Sequence, residues 1–349
     1  MVEFSLRNAA YLFLITVFCN VPVCISAHAQ DNAGNESRYY YVGTIGDNFP
    51  VQMELVIDSG DVSGSYMYDK VGIPIPLTGE FDLKSSALNM VEQDEKGQKT
   101  GTFKGTVRSE GKSFGMYIEG EWSKANGLST LPFKLTKVAD FVSTNVNAKS
   151  KYEASYMYPS FITDTKANRE ITERLEKEAV SEKKKFAGEA EEYFGSQESA
   201  GEWQENFSYS IEYYSPELIS LSGEVFSYTG GAHGNTFYMS SNYWIKDGKA
   251  LLLSLSDLFT PKSNYVKVLS DYCIRDLRKQ QAGWVLNGEL KELKADDLSA
   301  FVISPRGITF AFAPYAVGPY VEGSYFVTVG YAGLKGVINP GGPLKQFLK

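Results

Sequence analysis

The sequence predicts an export signal, then an all-β meander or small barrel-like domain, then an α+β module with an antiparallel sheet and two main helices. Three observations carry this reading. The N-terminus runs from a positive charge through an apolar stretch to small residues. Short alternating runs cut by Gly, Asp and Asn continue to about residue 138. Helix-period apolar spacing first appears beyond residue 160.

The chain opens MVEFSLRNAAYLFLITVFCNVPVCISAHAQ, with Arg7 ahead of an apolar run from Ala9 to Cys19, and Ala27-His28-Ala29 before Gln30. This is the pattern of a secretory signal, with cleavage expected after Ala29 and delivery to the periplasm or beyond the cell. The run is shorter than the roughly 20 residues that span a bilayer, so no membrane span is expected. Lipidation of Cys24 is disfavoured, because Val23 stands where processing wants a small residue. Removal of residues 1–29 leaves 349 − 29 = 320 residues, and Cys273 becomes the sole cysteine, without a disulfide partner. A formal charge of −8 argues against nucleic acid, whose phosphates need clustered Lys and Arg, and leaves a basic protein open as a partner.

From residue 38 to 138 the runs VQMELVI at Val51, SYMY at Ser65 and FGMYIEGEW at Phe114 read as strands. A Gly-x-aromatic unit recurs as Gly64-Ser65-Tyr66, Gly79-Glu80-Phe81, Gly101-Thr102-Phe103 and Gly120-Glu121-Trp122. That spacing suits successive hairpins with the aromatic pointing inward, either to fill a core or to line a small ligand cavity. Residues 139–151, ADFVSTNVNAKSK, read as a linker.

The α+β module is expected over 152–340, with a smaller part at 152–215 and the rest at 216–340. Asp164 and Thr165 are N-cap residues for a helix to Phe194, with Ile171, Leu175 and Ala179 on its apolar face and Gly195 as its stop. Strands follow at NFSYSIEYYS, LISLSGEVFSYT and TFYMSSNYWI. Thr260 with Pro261 signals a second helix running to Gln281 and ending near Gly283. Its stripe of Val266, Leu269, Cys273 and Leu277 makes Cys273 a small buried hydrophobe rather than a catalytic thiol. FVIS, the turn Pro305-Arg306-Gly307 and ITFAF form a hairpin, and SYFVTVGY is a last strand. The intervening APYAVGPYVEG, from Ala313 to Gly323, is a loop.

The string YTGGAHGNT from Tyr228, LSLSDLF at Leu253 and FAPYAVGPYVEG together resemble a known family. It is the extracytoplasmic domain family shared by the lysozyme-sensing anti-sigma factor RsiV and the accessory region of the peptidoglycan deacetylase PdaC. The likeness covers about residues 152–340. It implies an exported, envelope-associated module that meets a lysozyme-like protein or peptidoglycan. The sigma-binding segment and membrane helix of one relative, and the metal-dependent deacetylase domain of the other, find no counterpart in the sequence.

The site is expected at Tyr228, Gly230, Gly231, His233, Gly234, Tyr315 and Tyr320. Glycines flanking His233 let backbone N–H groups and a ligand approach closely, and the tyrosines offer stacking faces. His233 has three readings: a structural ring fixing this loop against the Ala313–Tyr320 loop, a recognition group donating to a sugar hydroxyl or a carbonyl, or a catalytic base with Ser227, Ser240 or Asp257. No metal site and no cofactor are expected, since a lone imidazole lacks partner ligands. A structural envelope role and the oligomeric state stay open.

Overall fold

The computed structural model describes residues 36–348 apart from 112, 149–150 and 197–201, so the expected signal peptide lies outside the described residues. Eight antiparallel strands come first: β1 (Ser37–Ile45), β2 (Phe49–Asp58), β3 (Asp61–Tyr68), β4 (Ile75–Asp82), β5 (Ala87–Gln93), β6 (Lys99–Glu110), β7 (Ser113–Lys124) and β8 (Thr130–Asn147). Each pairs with the next, and β1 returns to β8 with Ile45 opposite Phe133 and Tyr40 opposite Ala139. The predicted meander therefore closes into a barrel.

Side chains fill the barrel, among them Met53, Leu55, Tyr66, Leu77, Leu88, Phe103 and Leu135. The Gly-x-aromatic units explain how it coils. Residues two apart share a face of a strand, so each glycine sits on the same side as its aromatic. A Cβ at Gly64, Gly79 or Gly120 would meet the carbonyl oxygen of Glu54, Asn89 or Lys104 on the neighbouring strand. Glycine thus permits the close approach that tight curvature requires. Near one end a buried carboxylate, Glu92, accepts from Tyr66 Oη at 2.7 Å, Trp122 Nε1 at 2.9 Å and Thr100 Oγ1 at 2.6 Å. Three donors thus satisfy a carboxylate that packing encloses.

The segment expected to be a linker is largely strand. Residues Ala139 to Asn147 are the second half of β8, pairing with β9 (Tyr152–Phe161). Polar composition misled here, because a strand exposed along one face needs few apolar residues once its backbone is paired. The helix α1 (Lys166–Ser196) crosses to β10 (Trp203–Tyr214), which lies parallel to β9, so the module's sheet is mixed rather than antiparallel. Antiparallel β11 (Leu218–Tyr228), β12 (Asn235–Lys246) and the short β13 (Lys249–Leu252) complete it. The boundary expected at 215/216 falls in the turn between paired β10 and β11.

Thr165 caps α1 as expected, its Oγ1 accepting from Asn168 N–H at 3.1 Å, and Ile171, Leu175 and Ala179 face the sheet. The second helix, α2 (Tyr265–Lys279), begins later than Thr260-Pro261 predicts. Thr260 Oγ1 instead donates to Ile338 O at 3.2 Å, and Lys262 turns at φ +64°. Gly283 opens a short helix, α3 (Gly283–Leu286), instead of ending α2. The predicted hairpin is β14 (Phe301–Ser304) and β15 (Gly307–Phe312), joined by β16 (Tyr325–Val329) in a three-stranded sheet.

One core lies between α1 and the long sheet, a second between that sheet, α2 and the three-stranded sheet. A bulge between Ile211 and Tyr213 shifts the alternation of β10. Phe207, Tyr209 and Ile211 join the first core while Tyr213 joins the second.

The outer edge of β14 has no strand partner and is instead held by side chains standing on β11 and β12. Ile303 N–H donates to Ser220 Oγ at 2.8 Å, Asn242 Nδ2 donates to Phe301 O at 2.8 Å, and Phe301 N–H donates to Ser240 Oγ at 3.1 Å. Ser220 Oγ also donates to Asn242 Oδ1 at 2.6 Å, and both residues are almost wholly buried. The barrel is tied on by Gln52, whose Oε1 accepts from Tyr40 Oη and Tyr214 N–H, each at 2.9 Å.

Two outcomes follow. Asn242→Ala strands Phe301 O and a donor on Ser220 without water, and lowers the unfolding free energy by about 2 kcal/mol in denaturant titration. Burial pushes the Cys273 thiol up to about 12; in the chain from Gln30 onward, Ellman's reagent at pH 8 labels nothing in the native state and one thiol after unfolding.

Candidate functional site

Strands β11 and β12 pair to their ends, Ser227 opposite Asn235, and the loop between them carries the histidine. Gly230 at φ +95° and Gly231 at φ +101° bring the chain round, in a region that L side chains rarely enter. Tyr228 Oη donates to Gly231 O at 3.2 Å across this turn. Gly234 is buried, and a Cβ there would run into the Phe226 ring. The loop is therefore pinned at Gly234 and projects at His233.

The facing loop joins β15 to β16. Tyr315 stands at φ +69°, Val317 is buried and Tyr320 begins a single 3-10 turn ending at Glu322. Glu322 Oε2 accepts from Gly283 N–H at 2.9 Å and Tyr325 Oη at 2.8 Å. Burial, with the Glu322 carboxylate beside it, pushes the Tyr325 phenol up to about 12, so it stays a donor at neutral pH. This anchor fixes the turn that presents Tyr320. Sequence reasoning missed Glu322, because the glycines that make room for its carboxylate, Gly283 and Gly318, are remote from each other in sequence.

The two loops meet through rings. His233 stacks on Tyr320 with centroids 3.7 Å apart and planes 17° from parallel, and Tyr315 lies 6.2 Å from the imidazole. Tyr320 Oη donates to Gly234 O at 2.8 Å, and the same carbonyl lies 3.0 Å from His233 Nδ1. A carbonyl only accepts, so Nδ1 carries the hydrogen of this contact and the neutral ring keeps its lone pair on Nε2. Tyr315 Oη faces Nε2 at 3.5 Å. His233 and Tyr315 are exposed, Tyr315 to 51%, while Tyr320 is half-buried beneath them.

The structure thus brings together His233, Gly234, Tyr315 and Tyr320, with Tyr228, Gly230 and Gly231 shaping the turn. The residues considered as catalytic companions have other partners. Ser240 accepts from Phe301 N–H, and Asp257 Oδ2 accepts from Ser254 N–H at 2.8 Å and Ser254 Oγ at 2.7 Å, capping a 3-10 turn. Ser227 lies in the strand pairing at the base of the loop. Among the described residues no group of three His, Cys, Asp or Glu is placed to hold a metal, and no helix is long and apolar enough to cross a membrane. Chemically, the cluster offers a stacked ring surface, one imidazole acceptor and a phenol hydroxyl.

Comparison with known proteins gives two family matches, to Deacetylase PdaC over residues 146–236 and to Protein of unknown function (DUF3298) over residues 256–332. The peptidoglycan-N-acetylmuramic acid deacetylase PdaC of Bacillus subtilis is 26% identical over 202 residues, 57% of this chain. The chain spans 41% of that relative's length. Crystal structures of DUF3298 family proteins from Pseudomonas aeruginosa and Bacteroides fragilis are 15% and 17% identical. They align at TM-scores of 0.43 and 0.40, covering 58% and 60% of this chain and 94% and 97% of theirs. The GGAHG string lies inside the first family match and the PYAVGPY string inside the second, so the family matches meet the resemblance: the chain carries PdaC-like sequence over residues 146–236 and DUF3298 family sequence over residues 256–332.

Proposed function

We propose that this chain works outside the cytoplasm as an envelope-associated recognition module, and that His233, Tyr315 and Tyr320 form the surface that meets its target. The observation that carries the reading is the stacked, solvent-facing His233–Tyr320 pair with Tyr315 beside it. Rings held in place before binding lose little freedom on contact, and their faces suit the apolar face of a sugar or a protein side chain. The Nε2 lone pair and the Tyr315 hydroxyl supply direction to a hydroxyl or amide.

Peptidoglycan glycan is the first target, supported by the similarity to a peptidoglycan-N-acetylmuramic acid deacetylase. A lysozyme-like protein is the second, favoured by the chain's charge of −8, which speeds encounter with a basic partner. A hydrolase centred on His233 has less to stand on, since Ser240 and Asp257 are engaged in holding β14 and capping a turn.

Calorimetric titration of residues 30–349 with soluble peptidoglycan fragments, and separately with a lysozyme, tests this. Binding to one of them weakens about tenfold in His233→Ala and in Tyr320→Ala, as for anchors in a preformed interface, while circular dichroism is unchanged. Absence of heat with both titrants refutes the reading. Gly234→Ala forces a Cβ into Phe226, displaces the loop and gives the same loss together with about 1–3 kcal/mol of stability.

A further inference from the structure

The barrel is seated on the module through a cluster in which one guanidinium serves more than one carboxyl group. Arg38 stands at the start of β1. Its Nη2 lies 2.8 Å from each oxygen of Glu54 on β2 and donates to Ser210 Oγ on β10 at 2.9 Å, so it spans the contact between barrel and module. The guanidinium carbon lies 4.2 Å from the centre of the Phe141 ring on β8. The side chain is 10% exposed, and among the described residues its buried Nε finds no partner.

Glu212 is the residue that the β10 bulge adds between Ile211 and Tyr213, and it has no opposite number on β11. Its Oε1 accepts from Ser222 Oγ at 2.6 Å. Among the described residues it makes no ion pair. It faces Arg38 and Tyr40 on β1, Glu54 on β2 and Ser222 on β11. Burial, with the Glu54 carboxylate beside it, pushes the Glu212 carboxyl up, and the Ser222 bond and Arg38 pull the other way without prevailing. A charge taken from water with no free partner is costly, and Arg38 is already committed to Glu54 and Ser210. Part of the residue keeps contact with solvent, which gives a proton its route.

We propose that Glu212 is a proton-operated latch on the barrel's seat. Protonated, it leaves Arg38 to bridge Glu54 and Ser210, and the seat is closed. Ionised, it contests Arg38, and the seat loosens about β8, the strand that continues from barrel to module. A carboxyl that is pushed up in the closed seat binds more protons there than when released. The seat is therefore firmest below the ordinary glutamate value of 4.5 and weakens as pH rises through the raised value. Asp69, whose carboxylate accepts from Gln52 Nε2, and Glu224 are also pushed up by burial and act with the same sign, so a variant at Glu212 isolates its share. The inference does not rest on the aromatic site at His233.

The test is amide hydrogen exchange on residues 30–349, corrected for the intrinsic rate at each pH. It reads the seat through Tyr214 N–H, which donates to Gln52 Oε1 across the contact, with Ile303 N–H, bonded to Ser220 within the module, as the control. From about pH 5 to about pH 8 the protection of Tyr214 is expected to fall about tenfold or more while that of Ile303 holds. In Glu212→Gln, which stays neutral, the fall shrinks to about twofold or less. In Glu54→Gln the remaining carboxyl has Arg38 to itself, so the fall moves to lower pH. Equal protection of Tyr214 at both ends of the range, the parent profile in Glu212→Gln, an unmoved profile in Glu54→Gln, or an equal loss at Ile303 overturns the proposal.

Discussion

Two side chains at the centre of the molecule, Ser220 and Asn242, decide where everything C-terminal to β13 sits. They stand on the face of one sheet and hold the bare edge of another, with Ser240 supplying a third contact to the same strand. A strand edge enclosed by packing needs partners for every inward N–H and C=O, since an unpaired buried group costs about as much as a whole hydrogen bond contributes. Polar side chains meeting β14 satisfy that demand at fixed positions, which a purely apolar contact does not. Because β14 leads to β15 and onward to the Tyr315–Tyr320 loop, this clamp sets the height at which Tyr320 slides under His233.

A similar device joins the barrel to the module. One amide, Gln52, is shared by a barrel tyrosine and by a backbone N–H of β10, and it reaches Asp69 through its Nε2 at 2.9 Å. Both contacts are made by side chains whose polar atoms have few alternatives in a buried setting, so each accepts one arrangement and rejects slippage. The aromatic cluster gains its rigidity from the same logic: Gly234 O and Glu322 Oε2 are each approached by two groups, one from each side of the contact they close.

Local signals carried the parts of the fold that local physics decides. Asp164 and Thr165 before a stripe of Ile171, Leu175 and Ala179 mark the start of α1, which runs one residue past the stop expected at Gly195, and the Gly-x-aromatic units mark curved strands. The two glycine- and tyrosine-rich strings were legible as loops, and the structure brings them together where His233 stacks on Tyr320. What escaped is decided by distant residues. The polar run from Ala139 becomes strand because β9 comes back to pair with it. The strong start signal at Thr260-Pro261 yields to a bond between Thr260 and Ile338. Glu322, which supports the site, depends on space left by two glycines far apart in the chain.

Strand β8 belongs to two structures at once. Its first half closes the barrel against β1, a contact bridging about a hundred residues, whose chain-closure entropy makes it late and slow among barrel pairings. Once Phe133 to Asp140 are locked against β1, the residues that follow are already extended and aligned. They offer β9 a prepared row of hydrogen-bonding groups rather than a coil to be searched. Barrel closure thus fixes the strand on which the module's sheet is built.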